Sequence, residues 1–294
     1  MDVMRKRFGE HDIELIIDNN IVPNDETTLF VCSGMQQLKS KFLDPDQTKI
    51  GTLQSCVRTN DIDLIGDGSH LSYFQMLGNF SFGRNDYHES VEMWHQIVND
   101  LGIEIDHITI HPSKQQHRKM WSKFGYSIVE DDECVWSDGN IGGFCCEMFS
   151  GGLEIGNLVN TMQHSTDVGF GLERLLQVVE SKSRIDETSL FDQSLRPILR
   201  DHVRFLTICY ENKIEPGNKK RNYVVRRLLR KCLRIDSGLS GFIFDDWISS
   251  EKQLLEERLK LGRRLIRKHR DKDDQWWWES CGLLPEEVKE LKEK

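Results

Sequence analysis

The sequence predicts an α+β fold in which an antiparallel sheet is flanked by helices and followed by a mostly helical region. Strand-like runs come in clusters with helices between them, whereas a doubly wound parallel sheet requires regular strand–helix alternation. After about Ser194 the chain becomes helical and basic. We therefore expect two domains, residues 1–193 and residues 194–294.

Apolar periodicity identifies the elements of the first domain. The expected elements are, in order, strand-like “TTLFVCSGM” and “YFQMLGNFSFG”, a helix from Asp86 to Leu101, a strand in “IDHITIHP”, and strand, turn, strand and helix in “LEIGNLVNTMQ” and “STDVGFGLERLLQVVES”. In the second of these runs, residues alone predict a half-buried strand that enters a turn at Gly78–Asn79. Phe80 and Phe82 are expected to be core residues.

The second domain is predicted to contain an amphipathic basic helix, “YVVRRLLRKCLRI”. Its apolar side carries Val225, Leu228, Leu229, Cys232 and Leu233, and its other side carries Arg226, Arg227, Arg230, Lys231 and Arg234. From Lys213 to Lys272 there are 18 Lys and Arg against 8 Asp and Glu, a local charge of +10 on a chain of net charge −9. This separation favours a polyanionic partner, although a solvated basic helix is an equal alternative.

Composition limits the class of protein. Charged residues make up 30% and hydrophobic residues 38%, which is typical of a globular chain. No apolar run is long enough to cross a membrane and the N-terminus does not resemble a secretory signal, so we expect a cytoplasmic protein with no membrane partner. The eight cysteines have no CxxC spacing, and His107 and His111 lie four apart in a strand-like run. We expect no zinc.

Three separated features indicate a nucleotide site, although neither GxxxxGK[ST] nor GxGxxG opening a helix is present. Arg58 follows a short apolar strand, and the stretch “YFQMLGNFSFG” is the second feature. In “DVGFGLERLL”, Gly169 and Gly171 leave a strand surface bare, and Arg174 lies in the first turn of the next helix. Bare backbone admits a flat ligand, and two arginines can bind a triphosphate. Each feature alone is more often structural.

Together these features resemble a known family, the alanyl-tRNA synthetases of the class II aminoacyl-tRNA synthetases, over their N-terminal part. The matching words occur in the family's order from about residue 20 to 235. They are “VPNDETTLFVCSGMQQLKSKFL”, “QSCVRTNDIDLIG”, “YFQMLGNFSFG”, “LEIGNLV”, “DVGFGLERLLQVVE”, “RDHVRFLT” and “PGNKKRNYVVRRLLRKCLR”. The resemblance implies a class II synthetase sheet, with “YFQMLGNFSFG” as the second strand of the motif 2 hairpin and its glycines at the turn into the next helix.

The resemblance also implies roles in binding ATP. Arg58 would bind the α-phosphate and the amino-acid carboxylate, and Arg174 the phosphates of the leaving pyrophosphate. The other residues implied for the ATP site are Phe74, Gln75 and Gly171. Mg²⁺ would bridge the phosphates, with Glu154 as its expected ligand. The motif 2 loop is about four residues shorter than in the family, and Gln75 replaces a family glutamate.

An amino-acid pocket is implied in the same way. Asp167 matches the carboxylate that binds the substrate ammonium. The remaining pocket residues implied by the resemblance are Met35, Trp136, Asn157, Val159 and Gly169. They match a small apolar site for a methyl side chain, so alanine is the favoured substrate. Serine and glycine remain alternatives, because one methylene or hydroxyl gives only about 1–3 kcal/mol of discrimination.

In the family, the counterpart of the helical domain contacts the tRNA acceptor stem. Asn218 and Glu279 match residues that read a G·U wobble pair. The residues expected to contact phosphates are Arg226, Arg227, Arg230, Lys231 and Arg234.

The implied activity is ATP-dependent activation of alanine, or another small amino acid, and its transfer to the 3′ end of tRNA. Two alternatives are a paralogue that aminoacylates a carrier protein, a peptide or a small molecule, and an inactive tRNA-binding regulator.

Overall fold

The structure is a computed structural model that describes residues 1–25, 27–60, 62–162 and 164–293. The chain forms two compact units, Met1–Asp201 and His202–Lys294, and the boundary lies within a helix at 197–211. No described helix is both long and apolar enough to cross a membrane.

The described part of the first unit contains one mixed sheet of nine strands. The strands are β1 (Leu15–Asp18), β2 (Lys49–Val57), β3 (Tyr73–Ser81), β4 (His107–Ile110), β5 (Ile128–Glu130), β6 (Val135–Asp138), β7 (Ile141–Ser150), β8 (Leu153–Thr161) and β9 (Thr166–Gly171). Their order is β1-β2-β3-β9-β8-β7-β4-β5, with β6 paired to β7 outside this path. The strands from β2 to β4 in that order are antiparallel, and β1 and β5 are parallel to their neighbours. The predicted α+β class is confirmed.

The helices of the described residues follow the predicted distribution. They are α1 (Asp2–Glu10), α2 (Lys39–Leu43), α3 (Tyr87–Asp100), α4 (Gln115–Ser122), α5 (Leu172–Val179), α6 (Pro197–Glu211), α7 (Lys220–Ile235), α8 (Asp245–His269), α9 (Asp274–Cys281) and α10 (Pro285–Glu293). The helix expected from Asp86 to Leu101 is α3, and the strand–turn–strand–helix expected before residue 181 is β8, β9 and α5. The part after residue 201 is helical, as predicted.

Two local predictions are wrong. The run “TTLFVCSGM” (27–35) is not a strand but an irregular segment that ends in a turn. The expected turn at Gly78–Asn79 is absent, because β3 continues through both residues to Ser81. Gly78 is required by close packing, since a Cβ atom there would lie 1.8 Å from the carbonyl oxygen of Val168 on β9. Gly83, with φ of +65°, marks the end of the hairpin segment instead.

The main core lies on one face of the sheet, under α1, α3 and α4. Trp94 of α3 stacks on Phe170 of β9, with ring centroids 3.8 Å apart, and its indole N–H donates to Asn79 of β3 at 2.7 Å. On the opposite face, Phe80 and Phe82 are fully buried against Phe42, which confirms them as core residues. One face of the central strands is thus closed by helices, and the other is partly open.

The second unit is built from helices that bury an internal ion network as well as apolar residues. Val225, Leu228, Leu229 and Cys232 of α7 are buried, as their spacing predicts. The prediction that Arg230 lies on the solvent side is wrong, because its side chain is only 1% exposed. Its guanidinium contacts Glu251 of α8 at 2.6 Å and Glu287 of α10 at 3.0 Å.

Candidate functional site

The open face of the sheet carries a cavity of about 300 Å³. Such a volume is at the lower end of the range for small-molecule sites. The structure brings eight of the predicted site residues together in its wall: Arg58, Phe74, Trp136, Glu154, Asn157, Gly169, Gly171 and Arg174. These residues come from β3, β6, β8, β9, α5 and the position directly after β2, so the site depends on the order of strands in the sheet.

The floor of the cavity is bare backbone and small polar groups. Gly169 pairs with Asn157 on β8, and Gly171 pairs with Met76 on β3. A Cβ atom at Gly169 would lie 3.0 Å from the Met76 sulfur and 3.8 Å from Oδ1 of the Asn157 side chain. Glycine therefore keeps this surface open to a flat ligand, as the sequence predicts.

Arg58 lies on one side of the cavity, directly after β2. Its main-chain N–H donates to the Ser72 carbonyl at 3.0 Å, which continues the pairing of β2 and β3. Its side-chain Nε donates to the Cys32 carbonyl at 3.1 Å, and the guanidinium stacks on Phe74 with 4.9 Å to the ring centroid. These contacts hold the guanidinium plane while its Nη groups remain available for an anion.

Arg174 lies on another side, in the first turn of α5. Its Nη1 donates to the main-chain carbonyl of Glu154 at 2.8 Å and to the Glu154 carboxylate at 3.0 Å. Because a guanidinium has five N–H donors, its other donors can bind a ligand. Arg58 and Arg174 thus line the same cavity without sharing a carboxylate partner among the described residues.

A β-bulge directs Glu154 into the cavity. Between Met148 and Phe149 of β7 the register shifts, so that Ile155 of β8 has no partner strand residue. Strict alternation would place Glu154 and Asn157 on opposite faces, because they are three residues apart, but the extra residue turns them toward the same face. Bulges of this kind often re-aim a side chain next to an active site.

A second carboxylate lies beside Glu154, on β7. Burial, and then the charge of Glu154, raise the pKa of Glu147. Repulsion between two such carboxylates favours a bound cation. No group of three or more His, Cys, Asp or Glu suited to a metal ion occurs among the described residues. One or two carboxylates fit Mg²⁺ held mainly by substrate phosphates, and they do not fit a metal held by protein ligands alone.

Asp167 does not line the cavity, although it lies on the same face of β9 as Gly169. It is paired across the sheet with Phe80 on one side and Val159 on the other, and its residue is only 8% exposed. Burial, and to a smaller extent the charge of Asp138, raise its pKa to about 7. A carboxyl group held in this state would gain strongly from a bound ammonium.

Met35 and Val159 do not line the cavity either. Met35 belongs to a buried cluster with Phe80 and Phe82, and Val159 to a buried cluster with Cys145. Trp136 packs against both clusters and also lines the cavity. Met35 and Val159 therefore support the Trp136 wall.

Gln75 is not part of the cavity wall. Alternation along β3 directs its side chain away from the face that carries Phe74 and Met76. The wall contains Glu173 instead, which the sequence reasoning missed. Its carboxylate is buried and accepts the main-chain N–H of Gln75 at 3.0 Å. Its position directly before Arg174, at the start of a helix, was the available signal.

Sequence reasoning missed other wall residues, in the loop before β3, within β3 and β8, and at position 185. They are Ser69, His70, Leu71, Met76, Ile155, Gly156 and Ile185. His70 contacts the Asp67 carboxylate through Nδ1 at 2.6 Å. Nothing in the local pattern of this loop marks it as part of a site, because its position follows from the sheet.

The second unit carries its own cavity, of about 260 Å³. Asn218 and Glu279, predicted together, both line it, with Arg226, Arg258 and Trp278. Arg226 donates from Nη1 to the Asn218 side-chain oxygen and from Nε to Glu251 at 3.2 Å. Arg226 therefore orients Asn218 and leaves its amide N–H₂ as the group that can face a ligand.

The arginines predicted to contact phosphates are largely paired within the unit. Arg227 lies 3.5 Å from Glu286, and Arg234 lies 3.8 Å from Glu287. Arg230 also lines this cavity, but its side chain is only 1% exposed and its guanidinium contacts Glu251 and Glu287. Lys231 is half-buried and has no carboxylate within ion-pairing distance among the described residues. The phosphate role of these five residues therefore stays a prediction, and burial leaves Arg230 the least accessible of the four arginines.

Comparison with known proteins gives the family to which the chain belongs. The model of the family described as “tRNA synthetases class II (A)” matches residues 6–141 and 148–260. Curated relatives include the alanine–tRNA ligase of Desulfitobacterium hafniense (strain Y51), 29% identical over 79% of this chain and 34% of the relative. The alanine–tRNA ligase of Rubrobacter xylanophilus is 26% identical over 80% of this chain and 36% of the relative.

The chain spans about a third of the length of the curated relatives it matches. Among solved structures, a pyrrolysyl-tRNA synthetase of Desulfitobacterium hafniense aligns with a TM-score of 0.45 at 14% identity. The alignment covers 68% of this chain and 74% of that protein.

Proposed function

Because the chain belongs to the class II (A) tRNA synthetase family, we propose that it activates alanine, or another small amino acid, with ATP and transfers it to the 3′ end of a tRNA. The observation that carries this proposal is the first cavity. There Arg58 and Arg174 line one space above a glycine floor, with buried Asp167 on the same sheet face.

In the first step, a carboxylate oxygen of the amino acid attacks the α-phosphorus of ATP. A new O–P bond forms, and the bond to the pyrophosphate oxygen breaks. Negative charge increases on the α-phosphate oxygens, and Arg58 is held by Cys32 and Phe74 where it can stabilise that charge. Loss of such a preorganised donor typically slows the reaction about 10²–10³-fold.

Arg174 supports the departure of pyrophosphate. Its contact with Glu154 fixes the guanidinium at the edge of the cavity, and its remaining donors would bind the phosphates. When bound, Mg²⁺ supplies neutralisation of phosphate charge, and Glu154 with Glu147 are the carboxylates that would hold it.

Asp167 and Trp136 support the choice of a small amino acid. The Asp167 carboxylate, paired across the sheet with Val159 and Phe80, offers a buried anion for the substrate ammonium. Trp136 is held by the two clusters that contain Met35 and Val159, and it limits the space beside the cavity. A wall of this rigidity favours a methyl side chain over a larger one, by about 1–3 kcal/mol per methylene.

In the second step, a ribose hydroxyl at the 3′ end of the tRNA attacks the carbonyl carbon of the adenylate and releases AMP. The cavity that contains Asn218 and Glu279 supports a role in reading the acceptor stem. Asn218 can offer an amide N–H₂ donor, and Glu279 an exposed carboxylate. Donor and acceptor pairs of this kind read base edges in a groove.

One observation favours a second acceptor class. Arg226, Arg227, Arg230 and Arg234 of α7 each have a carboxylate partner within the unit, which reduces their attraction for RNA. An enzyme that aminoacylates a carrier protein, a peptide or a small molecule would retain the first cavity and would not need a free basic α7.

Exchange of labelled pyrophosphate into ATP tests the proposal. We expect exchange that depends on alanine more than on glycine or serine, and a loss of about 10²–10³-fold in Arg174→Ala. Arg5→Ala is the matched control, because Arg5 is exposed on α1, and it should retain exchange. Absence of exchange with every small amino acid would reject activation. Exchange without charging of any tRNA would select the second acceptor class.

A further inference from the structure

The C-terminal half of α8 carries a basic surface that the predicted set of RNA contacts does not include. Between Arg258 and Arg270 there are seven Lys and Arg and no Asp or Glu. Within this run, the exposed side chains of the helix are Lys260, Arg263, Arg264, Arg267 and Lys268, which we name the α8 basic face.

The packing of α8 fixes which side of the helix faces solvent. Gly262 is buried, and a Cβ atom there would lie 2.6 Å from Leu283 and 2.7 Å from Leu291. Leu255, Leu259, Leu265 and Ile266 of α8 pack with Trp277 and its neighbours in α9 and α10. Rotation of α8 would break these contacts, so the cations are held outward.

The α8 basic face differs from α7 in its partners. No carboxylate of the described residues lies within 4.0 Å of the ammonium or guanidinium groups of Lys260, Arg263, Arg264, Arg267 and Lys268. Four arginines of α7, in contrast, contact Glu251, Glu286 or Glu287; they are Arg226, Arg227, Arg230 and Arg234. The full positive charge of this face is therefore available to a partner.

We propose that the α8 basic face binds the phosphate backbone of an RNA helix and extends the recognition surface that begins at the Asn218–Glu279 cavity. Arg258, at the start of the basic run, lines that cavity. From Lys260 to Lys268 the helix advances about 12 Å at 1.5 Å per residue, enough to follow several phosphates. The choice of RNA as the partner rests on the proposed function.

Charge and packing favour RNA over a membrane. The whole chain has a net charge of −9, which repels a polyanion except where cations are concentrated. Three of the five cations are arginines, whose planar donors match phosphate in bidentate geometry. A membrane helix would also need a free apolar side, whereas the apolar side of α8 is buried.

A set of charge-neutralising substitutions in the full chain tests the surface. The test variant combines Arg263→Gln, Arg264→Gln, Arg267→Gln and Lys268→Gln, because glutamine keeps helix propensity. The matched control combines Arg5→Gln, Lys6→Gln, Lys119→Gln and Lys123→Gln, which removes the same charge from exposed positions in the first unit. Circular dichroism checks that both variants keep the wild-type helix content.

Binding is measured from 50 to 200 mM salt, with an alanine tRNA transcript and with a 12-base-pair RNA duplex of unrelated sequence. In the test variant we expect Kd to rise at least about tenfold at 100 mM salt for both RNAs. The slope of log Kd against log salt should fall by about 2–4, since each lost phosphate contact removes slightly less than one unit. The control should change Kd by less than about twofold.

Three results would overturn the proposal: an unchanged Kd and slope in the test variant, an equal loss in the control, or a wild-type chain that binds neither RNA. Binding to phosphatidylserine vesicles without binding to RNA would overturn it in favour of a membrane. Failure of the proposed function can be distinguished from failure of the α8 proposal. A wild-type chain that binds RNA through this face but charges no tRNA rejects the tRNA acceptor and retains the RNA surface.

Discussion

The cavity on the sheet and the helix α7 use the same residue type in opposite ways. Arg58 is held by the Cys32 carbonyl and the Phe74 ring, and Arg174 by the main-chain carbonyl and the carboxylate of Glu154. Both residues line the open cavity. Arg230 has carboxylates on both sides and is buried. The charge of Arg58 and Arg174 can therefore act on a ligand, whereas the charge of Arg230 is neutralised by two buried carboxylates within its own unit.

The carboxylates of the two regions differ in the same way. Asp167 is buried with Asp138 as its charged neighbour, and no cation of the described residues pairs with it. Glu251 and Glu287 are buried against arginines. The first arrangement is destabilising until a cationic ligand arrives, and the second is satisfied without one. We therefore infer that the ion pairs of the second unit stabilise the fold, whereas the charged groups near the first cavity bind a ligand.

The largest effect is expected where an internal network is broken. Arg230→Ala leaves Glu251 and Glu287 buried without their partner, so the free energy of unfolding should fall by about 3–5 kcal/mol. Urea unfolding followed by circular dichroism measures this loss. Arg264→Ala, on the exposed side of α8, should change it by less than about 0.5 kcal/mol. A loss below about 1 kcal/mol in Arg230→Ala would contradict the difference between the regions.

Arg58→Ala should show the opposite profile, with a large effect on activity and a small one on stability. Pyrophosphate exchange should fall about 10²–10³-fold, because the developing phosphate charge loses a preorganised donor. Arg58→Lys should recover little, since an ammonium cannot stack flat on Phe74 as the guanidinium does. Equal losses of stability in Arg58→Ala and Arg230→Ala would contradict the difference between the arginines of the cavity and those of α7.

Asp167→Asn should stabilise the chain while abolishing activation. The pKa of Asp167 is raised to about 7 in the folded state, from about 4 when unfolded. The stabilisation from its protonated form is full below about pH 4 and is lost as pH rises through about 7. The variant should therefore exceed wild type by about 2–4 kcal/mol at pH 8, and the gain should vanish near pH 4. No gain at pH 8 would contradict the unpaired state of Asp167.

The affinity of the wild-type chain for the amino acid should depend on the protonation state of Asp167. The KM for the amino acid in pyrophosphate exchange should rise as pH falls below about 7, because protonated Asp167 cannot pair with an ammonium. Asp138→Asn removes the charge that assists this protonation, so the midpoint should move to lower pH. A midpoint that stays in place would show that burial alone sets the pKa.

The smallest effect is expected at the cavity wall. Trp136→Phe leaves space between the Met35 and Val159 clusters, so the ratio of kcat/KM for alanine over valine should fall by about 10–200-fold, or about 1–3 kcal/mol. Exchange assays with both amino acids measure the ratio. Trp121→Phe, in the core on the other face of the sheet, should leave the ratio unchanged. An unchanged ratio in Trp136→Phe would exclude this wall from selection.

Much of the site could be predicted from sequence, because its residues lie at the ends of strands or are glycines within strands. Gly169, Gly171 and Arg174 follow from a strand that leads into a helix, and Arg58 follows from the end of β2. Other residues could not be predicted in this way. Glu173 and His70 enter the wall only because β3, β9 and α5 meet, which no local pattern records.

The sequence by itself predicted the class of the fold, several of its strands and helices, and eight of the residues that line the first cavity. Local alternation, helical periodicity and glycine content act over a few residues, and they do not depend on partners. These features also predicted that Phe80 and Phe82 are buried. They failed at Gly78, where the reason for glycine is a carbonyl oxygen on another strand.

Only the tertiary structure decided which charges are free. Periodicity placed Arg230 on the polar side of α7, but α8 and α10 bring Glu251 and Glu287 to that side and bury it. A bulge opposite Phe149 turned Glu154 into the cavity, and burial raised the pKa of Asp167. Burial and ion pairing are properties of surfaces that meet in the folded chain, so a single segment cannot specify them.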